Sequence, residues 1–244
     1  MLADVKRLAL LLVFAILAGC WGGDRPDATL IPDEVPPGGW WDAPAWRAFL
    51  QTWSDEALAT LRQLPPASLT PDERQALARG TLAETGASPA AIAALETRLA
   101  QPLPPSYKAF LEASAGWHQL AMDATDGHLW PPAKVGWFRD QQPAWLLTWT
   151  GANFPDPDDG TYFVYGPQQD PVSLRRGYLK STLAISEGIE SAIYLLNPRV
   201  VSPRGEWEAW YFGNALPGAY RYHSFQALMM VERGRTLAAL RHQR

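Results

Sequence analysis

The sequence predicts an α+β fold: N-terminal helices, then a mainly antiparallel sheet of about five strands, then a C-terminal helix. Three observations predict it. Helix-start patterns with proline recur between residues 43 and 113. After Gly116 the spacing of apolar residues changes to compact aromatic and β-branched runs divided by glycine and proline. Ser224 then opens a final helical pattern. Helices and strands segregated along the chain give α+β, not an alternating parallel α/β sheet. Twenty-two prolines in 244 residues favour short elements over one long helical bundle.

At the N-terminus, Lys6 and Arg7 precede an apolar run from Leu8 to Ala18. The run is too short to cross a bilayer, which takes about 20 apolar residues, and it fits the apolar core of an export signal. It closes on Leu17-Ala18-Gly19-Cys20, which resembles the lipobox of bacterial lipoproteins. That resemblance implies cleavage before Cys20 and a diacylglycerol thioether on its sulfur. Residues 1–19 are then a lipoprotein signal peptide, and the chain is anchored by lipid in the bacterial envelope, facing the periplasm. Trp21, in place of the aspartate associated with inner-membrane retention, leans toward the outer membrane. Residues 20–39 have turn composition and no helical or alternating period, and read as the lipidated cysteine and a flexible tether. Residues 40–244 read as a single domain.

Within that domain, Ala43 to Leu64 places Trp46, Phe49, Leu50, Trp53, Leu58 and Leu61 mostly at spacings of three and four, an amphipathic helix stopped by Pro65-Pro66. Thr70-Pro71-Asp72-Glu73 starts a second helix, with Thr70 as N-cap and Glu73 in capping-box register, and Gly80 ends it. Ser88-Pro89 starts a third, to about Ala100, with Ile92, Leu95 and Leu99 on one face. Pro104-Pro105 opens a fourth, with Tyr107, Phe110 and Leu111 apolar, closed by Gly116. Five strands are predicted next: Trp145–Thr150, Tyr162–Tyr165, Tyr178–Ile185, Ala192–Leu196 and Glu206–Phe212. Ser224 caps the last helix, which runs to about Leu240 with Phe225, Leu228 and Met229 inward.

Composition narrows the function classes. A net charge of −4 offers no basic footprint for nucleic acid. One cysteine excludes an intramolecular disulfide and a multi-cysteine zinc site. Neither a Gly-x-Ser-x-Gly elbow nor a phosphate-binding Gly-x₄-Gly-Lys-Ser/Thr loop occurs. The histidines, His118, His128, His223 and His242, lack zincin or deaminase spacing; His118 reads as a helix-end residue and His128 as part of the turn Asp126-Gly127-His128. Asn153 to Gly160 is acidic but has neither the spacing nor the closing glutamate of an EF-hand, so it reads as a solvated loop. The twelve tryptophans are spread from Trp21 to Trp210 and read as packing residues before sugar-stacking ones. No metal, cofactor or catalytic residue is indicated.

The segment from Leu95 to Leu111, with Leu95-Glu96, Leu99 and then Leu103-Pro104-Pro105-Ser106-Tyr107-Lys108-Ala109-Phe110-Leu111, resembles the start of the SUKH superfamily, the Smi-Knr type of protein. The turn that follows is Ser114-Ala115-Gly116-Trp117, where Ala115 replaces the usual asparagine. Further matches are Tyr194-Leu195-Leu196-Asn197-Pro198, a strand ending in a Leu-Asn-Pro turn; Glu206-Trp207-Glu208-Ala209-Trp210, a second strand; and Tyr222-His223-Ser224-Phe225, a helix start. The resemblance spans residues 85 to 231. It implies that Leu103, Pro104, Tyr107, Phe110, Gly116 and Trp117 are fold determinants. It also implies an immunity-type protein that neutralises a toxin by binding it, without catalysis.

With no catalytic pattern, the candidates for partner contact are electrostatic. Asp156, Asp158 and Asp159 sit on a loop held by proline and glycine. Glu187, Glu190, Glu206 and Glu208 are strand-edge acids, and Glu206 and Glu208 alternate with Trp207, so that both are expected to face water. Together they would form an acidic face for a basic protein toxin. The expectation is therefore a lipid-anchored immunity protein, with an envelope hydrolase or cell-wall glycan binder as the alternative.

Overall fold

A computed structural model describes residues 28–119, 128–151, 154–188, 192–213, 216 and 218–242. Residues 1–19, Cys20 and Glu190 lie outside the described residues.

The predicted helices form where local chemistry starts and stops them. Helix α1 (Ala43–Leu61) is capped by Asp42, whose Oδ1 accepts the Ala45 N–H at 2.9 Å. It ends three residues before the expected Leu64, and Pro66–Ser68 continue as one 3₁₀ turn. Helix α2 (Pro71–Arg79) has the full capping box: Thr70 Oγ1 accepts the Glu73 N–H and Glu73 Oε2 accepts the Thr70 N–H. Gly80 closes it at φ +74°, a left-handed conformation that glycine adopts freely. Helix α3 (Pro89–Leu99) starts on Ser88, and α4 (Pro105–Ala113) stops at Ser114, two residues before Gly116.

The sheet has six strands. Its path is β2 (Gly136–Trp137), β3 (Leu183–Ala184), β4 (Ala192–Val201), β5 (Trp207–Gly213) and β6 (Gly218–Tyr222), antiparallel throughout. Strand β1 (Thr29–Leu30) pairs in parallel with Val200 and Val201 of β4. Strand β4 does not end at the Leu196-Asn197-Pro198 turn. It runs on to Val201 through an irregularity between Asn197 and Val201, the kind of site where a strand tolerates proline.

One face of this sheet carries Tyr194 and Tyr211 and is covered by α8 (Phe225–His242), whose Glu232 accepts the Tyr194 hydroxyl at 2.6 Å. Behind it, Phe225 lies within 5.0 Å of both Tyr107 and Phe110 and 5.6 Å from Trp46, a buried aromatic cluster joining α1, α4 and α8. Leu103, Pro104, Tyr107, Phe110, Gly116 and Trp117 are all buried.

The other face carries Glu208, Trp210 and Phe212, and here the strand predictions fail. Trp145–Thr150 lies in helix α6 (Pro143–Thr150), with proline in its first turn. An apolar run of this length does not separate strand from helix by periodicity. Tyr162–Tyr165 begins at the end of α7 (Asp159–Tyr162), a helical turn capped by Asp158. Of Tyr178–Ile185, the first part is a 3₁₀ segment (Arg176–Ser181), and only Leu183–Ala184 join the sheet. With α5 (Phe138–Gln141), these segments form a helical excursion over the second face. Phe212 takes the rings of Phe138, Trp145 and Trp149 at 5.7, 5.9 and 4.9 Å.

Residues 28–39, read from composition as part of the tether, are built into the fold. Beyond β1, Ile31 is buried and donates its N–H to Val201 at 3.0 Å, and Glu34 pairs with His223 at 2.8 Å. Thr-Leu-Ile is too short a run to show alternation. It pairs because the far half of β4, past the two residues of β3, offers unpaired backbone groups.

Candidate functional site

The predicted acids do not assemble into one face. Asp156 is exposed. Asp158 caps α7 through the Thr161 N–H at 2.9 Å, and that backbone bond holds its pKa below the usual carboxylate value. Asp159 pairs with Arg175. Glu206 and Glu208, expected in water, are fully buried. Glu206 accepts from the N–H and hydroxyl of Ser106 at 2.9 and 2.6 Å, tying α4 to β5, and burial pushes its pKa up. Glu208 accepts from Tyr162, Tyr165, Asn197 and Trp210 at 2.6 to 2.9 Å. Both are internal fasteners. Alternation with Trp207 does not send them to solvent, because Glu206, just before β5, is covered by Ser106 of α4, and Glu208 faces the excursion.

Among the described acids of this set, Glu187 lines a cavity with His118, His128 and Lys134, and that cavity collects the ionisable groups that sequence reasoning left apart. Its frame is backbone. Trp117 bridges Ala83 and Leu129, and Leu129 bridges Ser186, so four short segments continue the sheet beyond β3. Ser114 Oγ accepts the Glu84 N–H at 3.0 Å and fixes the first segment to the end of α4. At Gly116 a Cβ would stand 3.0 Å from the Leu129 carbonyl, so a side chain would push the second and third segments apart.

On this frame a cavity of about 380 Å³ opens, lined by Glu84, His118, His128, Trp130, Lys134 and Glu187 among others. The imidazoles of His118 and His128 meet edge to face, 4.6 Å between centroids. Glu84 Oε1 takes Arg79 Nη1 at 3.0 Å and also the Nε2 of His118. His128 Nε2 lies 3.9 Å from Asp72. Across the cavity Lys134 Nζ pairs with Glu187 at 2.6 Å and sits over the Trp130 ring at 4.8 Å. The hydrogen bond from Lys134 holds the Glu187 pKa below its usual value, with the positive field of His128 adding to it. Arg98 keeps Lys134 in place by donating to the carbonyls of Pro132 and Val135, both at 2.7 Å. Among the described residues, no group of three His, Cys, Asp or Glu side chains could hold a metal ion.

The site can therefore meet a charged group of either sign, and its carboxylate–imidazole pair can hold a proton. Pairing of His118 with His128 was legible in one way only. In an antiparallel ladder the two residue numbers sum to a constant, so the Trp117–Leu129 bridge places 118 opposite 128. Without that register, a separation of ten residues carries no metal or catalytic signature.

Comparison with protein-family models and with curated proteins finds no match for this chain.

Proposed function

We propose that this chain is a lipid-anchored immunity-type protein of the bacterial envelope, which binds and neutralises a protein toxin on the periplasmic side. The observation that carries this reading is the open, mixed-charge cavity of Glu84, His118, His128, Lys134 and Glu187 on a cross-bridged backbone. A rigid concave site whose charges are paired internally can exchange those pairs for a partner's side chains, the usual source of specificity and fast encounter in such complexes. The resemblance of residues 85 to 231 to Smi-Knr proteins supports the same class, and the net charge of −4 suits a basic toxin.

The test is a competition experiment. A strain lacking this chain, grown in contact with its parent, should be inhibited and then rescued by the chain supplied in trans. Glu187→Arg should fold normally but weaken rescue, because it sets a like charge beside Lys134 and inverts the cavity's response to a basic partner. Equal growth of the deletion strain and its parent would remove the immunity reading.

A second reading, an envelope hydrolase or wall-glycan binder, is favoured by one observation: the Glu84–His118 pair faces an open cavity lined also by Trp130. Incubation with cell-wall fragments decides it. Cleavage or retention of fragments that is lost in His118→Ala supports this second reading.

A further inference from the structure

Helix α6 is unlike every other described α-helix. Pro143–Thr150 holds no charged side chain and no buried residue. Leu147 is 73% exposed. The hydroxyls of Thr148 and Thr150 donate back to the carbonyls of Ala144 and Leu146, at 3.0 and 2.7 Å, so they offer little to water. Trp145 and Trp149 rest against Phe212 and stay half-buried. Phe154, 61% exposed, extends the patch. The guanidinium of Arg176 lies 4.1 Å from the Phe154 ring and 5.8 Å from that of Trp149. Leucine and phenylalanine at the tip, with tryptophan and arginine at the margin, is the composition that settles at the headgroup level of a bilayer.

We infer that α6 and Phe154 insert into the surface of the membrane that carries the lipid anchor. This rests on the reading of Cys20 as the lipidated residue. The chain path supports the occupant. Eight peptide steps separate Cys20 from Ala28, a reach of about 29 Å at full extension. Strand β1 runs parallel to β4, so its N-terminal end points back toward the Ile193 end of β4. Ile193 pairs with Phe212, the residue on which Trp145 and Trp149 rest. Seven residue steps separate that position from Val200, which pairs with Thr29; at about 3.3 Å each this is about 23 Å. The anchor's reach therefore exceeds the distance to the Ile193 end of the sheet, the end on which α6 packs, and the chain is directed that way where it joins the sheet. A tether extending to residue 39 would have left the domain free to turn in any direction.

The helix is too short to cross lipid, so it lies in the interface. Charges near the patch are mixed: Arg139 lies 3.8 Å from Asp140, and Asp156 is exposed beyond Phe154. Apolar insertion and not attraction to anionic headgroups drives the contact.

The experiment uses the full chain, processed and acylated through its own signal, reconstituted into phosphatidylethanolamine vesicles with and without phosphatidylglycerol. Cys20 is the only cysteine, so Thr148→Cys supplies one free thiol for an environment-sensitive fluorophore. Ala48→Cys, exposed on α1 over the opposite face of the sheet, supplies the control. Brominated acyl chains should quench the label at 148 several-fold more than at 48, with or without phosphatidylglycerol. Adding Leu147→Asp and Phe154→Asp should abolish that quenching while the anchored chain stays on the vesicles with an unchanged thermal midpoint. Equal quenching at 148 and 48 overturns the inference, as does protection of 148 only by a second copy or an added protein. Maleimide tests the premise separately. If Cys20 of the unsubstituted chain reacts, the anchor reading fails and this inference falls with it; if Cys20 is blocked and 148 is unquenched, the insertion of α6 fails alone.

Discussion

The two faces of the sheet are held by different forces. On the α8 side, α1, α4 and α8 meet through rings: Trp46, Tyr107, Phe110 and Phe225 pack with centroids 5.0 to 6.1 Å apart. On the other side the excursion from Phe138 to Ser181 has short helices that cannot bury much by themselves, and it is fastened by a buried acid. Glu208 gathers Tyr162 and Tyr165 from the excursion, Asn197 from β4 and Trp210 from its own strand. Burial first, and the nearby Glu208 charge second, hold the Tyr162 hydroxyl far above its ordinary pKa, so it stays a donor. Arg221, also buried, lays its guanidinium 4.3 Å from the Tyr162 ring. A buried carboxylate is tolerable only when its lone pairs are filled, and here four donors fill them. The apolar cluster adds up from many replaceable contacts, whereas on the other side, next to the rings packed on Phe212, Glu208 concentrates four bonds on one side chain.

That difference sets the largest expected effect. Glu208→Ala leaves three buried donors and the half-buried Tyr165 hydroxyl without their acceptor and should cost roughly 4–5 kcal/mol. Phe225→Ala, at the centre of the aromatic cluster, should cost about 3–5 kcal/mol through its cavity. Glu208→Gln keeps one acceptor oxygen but turns an amide toward donors, and should cost about 1–3 kcal/mol. Urea titrations give the magnitudes, and hydrogen exchange separates the faces. Glu208→Ala should release amides between 138 and 182 first, whereas Phe225→Ala should weaken the whole domain. Identical exchange maps would mean that the two faces unfold as one unit.

The same contrast explains what could be read from the residues. Helix starts at Thr70, Ser88 and Ser224 were legible because a cap and its helix are neighbours in sequence, whereas the first helix was legible from its apolar spacing and its Asp42 cap was not singled out. Strands β4 and β5 were legible from dense aliphatic and aromatic runs. Strand β6 was not, because it is short and opens at Gly218, where a Cβ would fall 1.8 Å from the Pro171 carbonyl; nothing near Gly218 in sequence reveals that distant neighbour. The excursion was misread as strands because Trp-Leu-Leu and Tyr-Phe-Val satisfy strand preference, and only tertiary packing decides. Of the site, Glu187 was singled out from sequence. His118 and His128 were seen singly, and their pairing depends on a ladder register that local patterns do not contain.

A smaller effect sharpens the description of the apolar face. Tyr107 is fully buried, and its hydroxyl meets no protein hydrogen-bond partner among the described residues. Its ring stabilises the cluster, and its oxygen does not. Tyr107→Ala should therefore cost about 3–5 kcal/mol, whereas Tyr107→Phe should fall within about 0.5 kcal/mol of wild type or above it, since no bonded partner is lost. Guanidinium titration of the two variants separates ring from hydroxyl. A loss above about 1.5 kcal/mol for Tyr107→Phe would show that the hydroxyl is bonded after all.

The smallest effect contrasts two acids by the sign of their pH dependence. Burial raises the Glu206 pKa in the folded chain above the ordinary 4.5, against the pull of its bonds from Ser106. The folded state thus holds that proton more tightly than the unfolded chain. The resulting stability is full below pH 4.5 and is lost as pH rises through the raised folded value. Glu187 runs the other way: the Lys134 hydrogen bond lowers its folded pKa, so its contribution is full above pH 4.5 and is lost as pH falls through the lowered value. Thermal midpoints of wild type, Glu206→Gln and Glu187→Gln, measured from neutral pH downward, should show this. On approach to pH 4.5 the gap between Glu206→Gln and wild type should move in favour of wild type, which gains as Glu206 protonates. Below pH 4.5 the gap for Glu187→Gln should move in favour of the variant, because wild type alone loses the ion pair with Lys134. Curves for all three proteins that stay parallel across the range would mean that neither carboxylate senses its surroundings as its burial and partners require.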